Sequence, residues 1–359
     1  MPPELVEWFR PQSSAERLLL LLSLVSAALI VLIVLLAVAA FVLRWRNTRM
    51  ARRWSRIEAT WEELVLEVLE GTRPPDAVAH HLPHDEVPLF VEYLSRFARR
   101  LRGAERDRVG LLAAPFLPGV AQRMSHPDPA LRARAAQVLS LLGFSQYSDR
   151  LAAALDDPEP IVAMMAARSL ARRDHPEFAP VILARLHRFT LWDARFLSGM
   201  LAAMGPAAAP ALLAVLADLG QPAPVRAVTA DALGMLSHLP AADAAGTVLD
   251  RETDPELIAA VLRLLRQVGR PEHVPGIRAW LDAPTDFVRE HAVAAFGALA
   301  DARELRELAP KLDDRSPWVR LAAARAVRSL EDGRLLRELA AGEGPGSLVA
   351  RAALAESAA

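Results

Sequence analysis

The stretch 316-SPWVRLAAARAVRSL-330 decides the fold, because its pattern returns along the chain. Arg320 marks the pattern, and equivalent marker positions fall at Arg132, Ala163, Arg195, Arg226, Ile258, Arg289 and Arg351, every 31 or 32 residues. Four residues before Arg320 stands a helix-start signal, Ser316-Pro317. A short polar side chain there caps the helix, and Pro takes the first helical position. Asp128-Pro129, Glu159-Pro160 and Asp254-Pro255 repeat it; Thr285-Asp286 and Ser347-Leu348 keep the offset; Leu191-Trp192 and Pro222-Ala223 depart from it.

Offsets of three, four and seven after each marker position define one face of a helix. At four they read Ala136, Ala167, Gly199, Ala230, Leu262, Val293, Ala324 and Ala355; at seven they include Leu139, Leu170, Leu233, Leu265, Phe296 and Val327. The small residues let a neighbouring helix approach closely. A breaker follows each such helix, among them Gly143, Gly205-Pro206, Gly269-Arg270-Pro271 and Gly333. A second amphipathic segment comes next, as in 147–157, 209–220, 273–283 and 304–314. The unit is therefore helix, turn, helix, turn. One unit cannot bury its apolar face alone, and a stack can, which predicts an all-α solenoid.

The repeated D-x-x-x-x-V-R-x-x-A-A-x-A-L pattern, closest at 319-VRLAAA-324 and Val288-Arg289, resembles the short bacterial HEAT repeats of the phycobilisome-lyase type. The resemblance covers 126–359; residues 158–174, 192–204 and 255–268 are degenerate copies. It implies that Arg132, Arg195, Arg226, Arg289, Arg320 and Arg351 form a structural ladder with the preceding Asp. The functional alternative is a row of arginines gripping an acidic partner. The resemblance also implies a non-enzymatic protein-binding surface. Enzymes in the superfamily set the contrast. The iron hydroxylases use His-Glu dipeptides, and this chain has only the reverse order, Glu272-His273 and Glu290-His291. The alkylation-repair glycosylases need a basic face, whereas residues 58–359 carry a net −6; no nucleic-acid partner is expected.

Composition agrees with helix. The 359 residues are 53% hydrophobic and 6% aromatic, dominated by Ala, Leu and Arg, all strong helix formers. There is no cysteine, which excludes disulfides, thiol catalysis and sulfur-bound zinc.

Residues 18–43 form a second landmark: 26 residues without a charge, Ser23 and Ser26 the only polar ones. Such a helix reaches roughly 39 Å, enough to cross a hydrocarbon core of about 30 Å. Ala37-Val38-Ala39 fits a signal-peptidase site, but the apolar run is too long and its N-terminal flank acidic. Arg44, Arg46, Arg49, Arg52, Arg53 and Arg56 follow with no acid among them. They place that end in the cytoplasm, and they also suit anionic lipid head groups. The expected layout is a short extracytoplasmic 1–17, a transmembrane helix 18–43, a basic juxtamembrane segment and helical cap 44–125, and the solenoid 126–359, at a bacterial inner membrane.

His80, His81 and His84, beside Asp85 and Glu86, form the one local cluster of metal-ligand types. They are read either as solvated loop residues or as weak metal candidates. The leading reading is a membrane-tethered scaffold with no cofactor. The layout resembles bacterial membrane-anchored HEAT proteins that accompany membrane glycosyltransferases of exopolysaccharide synthesis, which implies such a synthase as partner. The alternatives are a metal-dependent or tetrapyrrole-handling enzyme at the histidines, or a lipid-surface module.

Overall fold

A computed structural model describes residues 14–74, 78, 82–83, 86–101, 104–328, 334–342 and 345–355. Among them there are helices and turns and no strand. The chain divides into two compact units, Met1–Leu112 and Ala113–Ala359.

The first unit is dominated by α1, Ser14–Leu69, one unbroken helix of 56 residues. The apolar run and the arginine-rich segment thus share one helix. Its stretch Leu22–Trp45 has mean hydropathy 3.1, none of it buried, and is long and apolar enough to cross a membrane. The far end of α1 packs. Trp61, Val65 and Val68 are buried, and the Trp61 ring meets Phe90 edge-on at 5.1 Å and Tyr93 at 5.8 Å. Phe90 and Tyr93 lie on α2 (Val87–Ala98). The helix α3 (Ala104–Ala113) carries Arg108, which donates to the Leu69 carbonyl at 2.6 Å. That bond satisfies one of the carbonyls left open where α1 ends. Gly71, with φ +79°, turns the chain away.

The second unit is a two-row stack, built from the repeat. Its first row is α5 (Pro129–Leu142), α7 (Pro160–Leu170), α9 (Ala194–Ala202), α11 (Ala223–Met235), α13 (Pro255–Val268), α15 (Asp286–Leu299), α16 (Pro317–Val327) and α18 (Pro345–Ala355). Ahead of it stands α4 (Leu117–Gln122), which packs on α5 with the 3-10 turn Arg123–Ser125. The unit therefore begins before residue 126, where the sequence pattern alone starts. The second row is α6 (Phe144–Ala153), α8 (Ala179–Leu183), α10 (Ala209–Ala217), α12 (Ala241–Arg251), α14 (Val274–Arg278), the 3-10 helix Glu304–Asp313 and α17 (Arg334–Ala340). Pro310 lies inside that 3-10 helix; it lacks the N–H that an α-helical turn needs.

One buried cluster runs from Ala136 to Ala353 through both rows. The positions four and seven after each marker supply much of it: Ala136, Ala167, Leu170, Ala230, Leu233, Leu262, Leu265, Val293, Phe296, Ala324 and Val327 are at most 1% exposed. Close approach is enforced at Gly297, where an added Cβ would collide with the Ala326 Cβ. Gly205 breaks α9 from its second-row partner with φ +78°, a conformation that costs other residues energy.

First-row neighbours pack directly, α5 on α7 and then α9 through α16 in turn. The junction between α7 and α9 is different. There the 3-10 segment Leu186–Phe189 intervenes and touches both α7 and α11.

Candidate interaction surface

The repeated arginines stitch one turn to the next. Arg132 donates from Nε and Nη2 to both oxygens of Asp157, each at 2.8 Å, and from Nη1 to the carbonyls of His126 and Pro127 at 2.9 and 3.0 Å. Arg289 repeats the arrangement. It reaches Asp314 at 3.0 and 2.9 Å and the carbonyls of Ala283 and Pro284 at 2.9 and 3.1 Å. Arg226, 1% exposed, donates to the Leu216 carbonyl at 3.0 Å and pairs with Glu252.

The carboxylate partner is therefore not the Asp that precedes the arginine in its own repeat. It lies 25 or 26 residues later, six positions before the next marker. Each such acid at Asp157 and Asp314 works twice. These two also accept the backbone N–H of Glu159 at 2.9 Å and of Ser316 at 2.8 Å, shaping the turn into the next helix. Arg132 holds the Asp157 carboxyl below its ordinary value of 3.8. At Asp314, burial pushes upward, but the Arg289 bond and the Ser316 N–H outweigh it and the net shift is downward.

The other three arginines differ. Arg320 donates to the carbonyls of Asp314 and Arg315 at 2.8 and 3.3 Å, and Arg351, exposed, to the Ala340 carbonyl at 2.9 Å. Arg195 is exposed and joins no turn in this way; the position six before the next marker is Gly220, which has no carboxylate to offer. Where Ala163 replaces the arginine, Arg188 takes over, donating to the carbonyls of Leu155 and, at 2.7 Å, Asp157.

The helix-start signals are also only partly as the sequence suggests. Asp128 and Asp254 cap α5 and α13, accepting from Ala130 N at 2.8 Å and Leu257 N at 2.9 Å. Neither Ser316 nor Glu159 caps with its side chain; Asp314 and Asp157 hold those turns from two residues upstream. At α9, where Leu191-Trp192 breaks the pattern, Asp193 caps instead, accepting from Phe196 N at 2.8 Å.

What the fold leaves on the outside of the first row is a run of three depressions. One, of about 260 Å³, opens at the N-terminal ends of α9, α11 and α13, over Leu186, Trp192, Leu197 and Val225. A second, of about 450 Å³, adjoins it and is lined by Arg195, Met235, Arg263, Gln267 and His291 among others. A third, of about 350 Å³, lies between α15 and α16, walled by Ala294, Gly297, Ala322 and Ala326 and flanked by Trp318 and Arg325. Trp318 is 64% exposed and Met235 49%, so large apolar groups punctuate this face. Sequence reasoning missed them. Trp318 sits two residues before a marker arginine, and its outward direction follows from the helix face that the buried offsets define.

Between the first two depressions an ion pair ties three helices. Arg263 donates to both oxygens of Asp231 at 2.8 Å, and its Nη1 lies 3.1 Å from His291 Nε2. Burial, then the Arg263 charge, lowers the His291 pKa to about 4. The ring is neutral at pH 7, with Nε2 accepting.

His80, His81 and His84 lie outside the described residues. Among the described residues, Asp243, Glu272 and His273 gather ligand atoms within 4.8 Å. Arg270 already fills the role of cation there, 2.5 Å from both Asp243 and Glu272. Arg44, Arg46, Arg49, Arg52, Arg53 and Arg56 all lie on α1, the Arg44 side chain exposed.

Comparison with known proteins places these observations. A family model described as HEAT repeats matches residues 117–200 and 242–328. No curated protein matches the chain. Among solved structures, the CpcE–CpcF complex of phycocyanin lyase from a Nostoc species is similar at 21% identity, over 67% of this chain and 87% of that one, with a TM-score of 0.33. Human deoxyhypusine hydroxylase in complex with glycerol is similar at 19% identity, over 68% and 97%, with a TM-score of 0.31. Kap121p is similar at 14% identity, over 78% of this chain and 38% of that one, with a TM-score of 0.44. The family match falls on helices that the arginine–carboxylate bridges join, Arg132 to Asp157 and Arg289 to Asp314, so residues 117–200 and 242–328 of this chain are similar to HEAT repeats.

Proposed function

We propose that the protein is a non-enzymatic, membrane-tethered scaffold that binds protein partners on the outer face of the first-row helices. A HEAT solenoid suits protein interaction because stacked repeats present a long surface built of equivalent positions. One observation carries the reading: several ladder arginines are consumed inside the fold, while Phe196, Met235 and Trp318 stand exposed on the first row. Exposed apolar groups of this kind mark interaction sites. Leu22–Trp45 serves as the span, with the N-terminus outside and the solenoid in the cytoplasm, the arginines of α1 setting that orientation. Tethering raises the local concentration of partners in the same membrane. A membrane glycosyltransferase of polysaccharide synthesis is the first partner to look for.

The test is purification of the full-length protein from gently solubilised native membranes, beside a Met235→Glu/Trp318→Glu variant. Recovery of a membrane enzyme with the wild type and its loss with the variant supports the reading. Equal recovery from both removes the first-row face. Stoichiometric metal, or a visible absorption band lost on replacing His80, His81 and His84, replaces the scaffold with the enzyme alternative.

A further inference from the structure

The depression at the N-terminal ends of α9, α11 and α13 differs from the other two in its chemistry. Its floor is apolar, formed by Leu186, Trp192, Leu197, Val225 and Val228. Its edge is acidic: Asp231, Asp254 and Glu256 stand against a single cation, Arg263. That cation is committed, since two of its nitrogens bond Asp231 at 2.8 Å. Asp254 is held in place by capping α13, with Leu257 N at 2.9 Å. The net charge facing an incoming group is therefore negative. At the lip, Leu191 is 97% exposed, next in sequence to the lining residues Thr190 and Trp192.

The pocket exists because of the irregular junction. The 3-10 segment Leu186–Phe189 stands between α7 and α9, and Trp192 just after it lines the space that two first-row helices would otherwise close. Its volume of about 260 Å³ falls below the roughly 300–1,000 Å³ of pockets that enclose whole drug-sized ligands. It is sized for one large side chain. Covering such an apolar floor and the exposed leucine removes apolar surface from water, which favours an apolar insert.

We propose that this pocket docks a partner polypeptide segment that inserts one aromatic or large aliphatic side chain and carries Lys or Arg on either side of it. The inference deepens the scaffold reading and rests on it: it names the chemistry of the partner's contact. Cations beside the insert meet Asp254 and Glu256, and an acidic segment is repelled, so the edge selects as well as attracts.

The probes are three fluorescein-labelled peptides, GKKFKKG, GKKGKKG and GEEFEEG, titrated by anisotropy against the full-length protein in neutral detergent. The variants are Ala194→Trp, which fills the pocket from an exposed position, and Glu256→Lys, which reverses the edge. The wild type should bind GKKFKKG at least tenfold more tightly than either other peptide. Each variant should weaken it at least tenfold, with an unchanged far-UV circular dichroism spectrum. Where Ala194→Trp fails to fold, Thr190→Trp fills the same space from the exposed lip. Absent saturation by GKKFKKG, equal affinity for GEEFEEG or GKKGKKG, or full affinity in the filled variant each overturn the proposal. If the peptides fail while the native partner is still lost from the Met235→Glu/Trp318→Glu variant, only this inference falls. If neither the peptides nor the native partner depends on the first row, the scaffold reading falls as well.

Discussion

In the first turn of α15, Arg289 is 4% exposed and bonds two carbonyls behind it and a carboxylate one repeat ahead. At α9, Arg195 holds the equivalent place and lies open to solvent beside a depression. Both repeats supply an arginine. Only the first is followed by an acid at the right distance. The bridge is thus a property of two consecutive repeats, and one missing carboxylate leaves its arginine outside. The same stretch of chain, 184–226, holds the irregular junction and most of the apolar floor of the acidic-edged pocket.

Substitutions can break this contrast. The largest effect is expected at Arg226, the largest fully buried side chain among the described residues. Arg226→Ala strands Glu252 and the Leu216 carbonyl, at a cost of about 3–5 kcal/mol, read as a lowered denaturant midpoint. Asp314→Asn comes next. It removes the charge that meets Arg289 while keeping the shape, and should cost about 2 kcal/mol. The wild type should also lose stability in acid through this group. Asp314 is held below 3.8 in the folded state, so its contribution is complete above the unfolded value and disappears as pH falls through the lower, native one. Asp314→Asn should flatten that part of the stability–pH curve.

His291 provides a second window. Its folded pKa of about 4 lies below the ordinary 6.5, so the unfolded chain binds more protons between these values. Stability should fall as pH drops from 6.5 towards 4, and His291→Gln should remove that slope, measured by thermal melts across the range. The smallest effect sharpens the comparison. Gly220→Asp supplies the acid that Arg195 lacks, at the spacing used by Asp157 and Asp314. A partly exposed pair is worth about 0.2–1 kcal/mol, a small rise in Tm that Arg195→Ala should abolish.

Much of this fold is legible in the sequence because repetition averages out local noise. Residues such as Leu233, Leu265 and Phe296 bury as their spacing implies, since a helix face is a local property. The bridges are less legible. Arg289 and Asp314 are 25 residues apart and meet only because repeats stack. The resemblance implies the Asp preceding the arginine in its own repeat as partner, and the acid that Arg289 meets precedes the next marker, Arg320, instead. Ser316 reads as a cap, yet Asp314 performs the turn's hydrogen bonding from two residues upstream. The 3-10 form of Glu304–Asp313 leaves a single sequence trace, Pro310. The pocket at Trp192 depends on which helices fail to touch, and no single-residue pattern encodes that.

The unbroken course of α1 sets both a clearance and a phase. With Leu22–Trp45 in a bilayer, the buried Trp61 stands about 24 Å of helix beyond Trp45. Because that stalk is helical rather than a loose tether, length and rotation are coupled like the thread of a screw. One added residue advances the attached packing by about 1.5 Å and turns it by about 100°. A seven-residue insertion nearly restores the original bearing at a greater height. Were Leu22–Trp45 to span a bilayer, the helical spacing from Trp45 to Trp61 would specify an orientation as well as a distance.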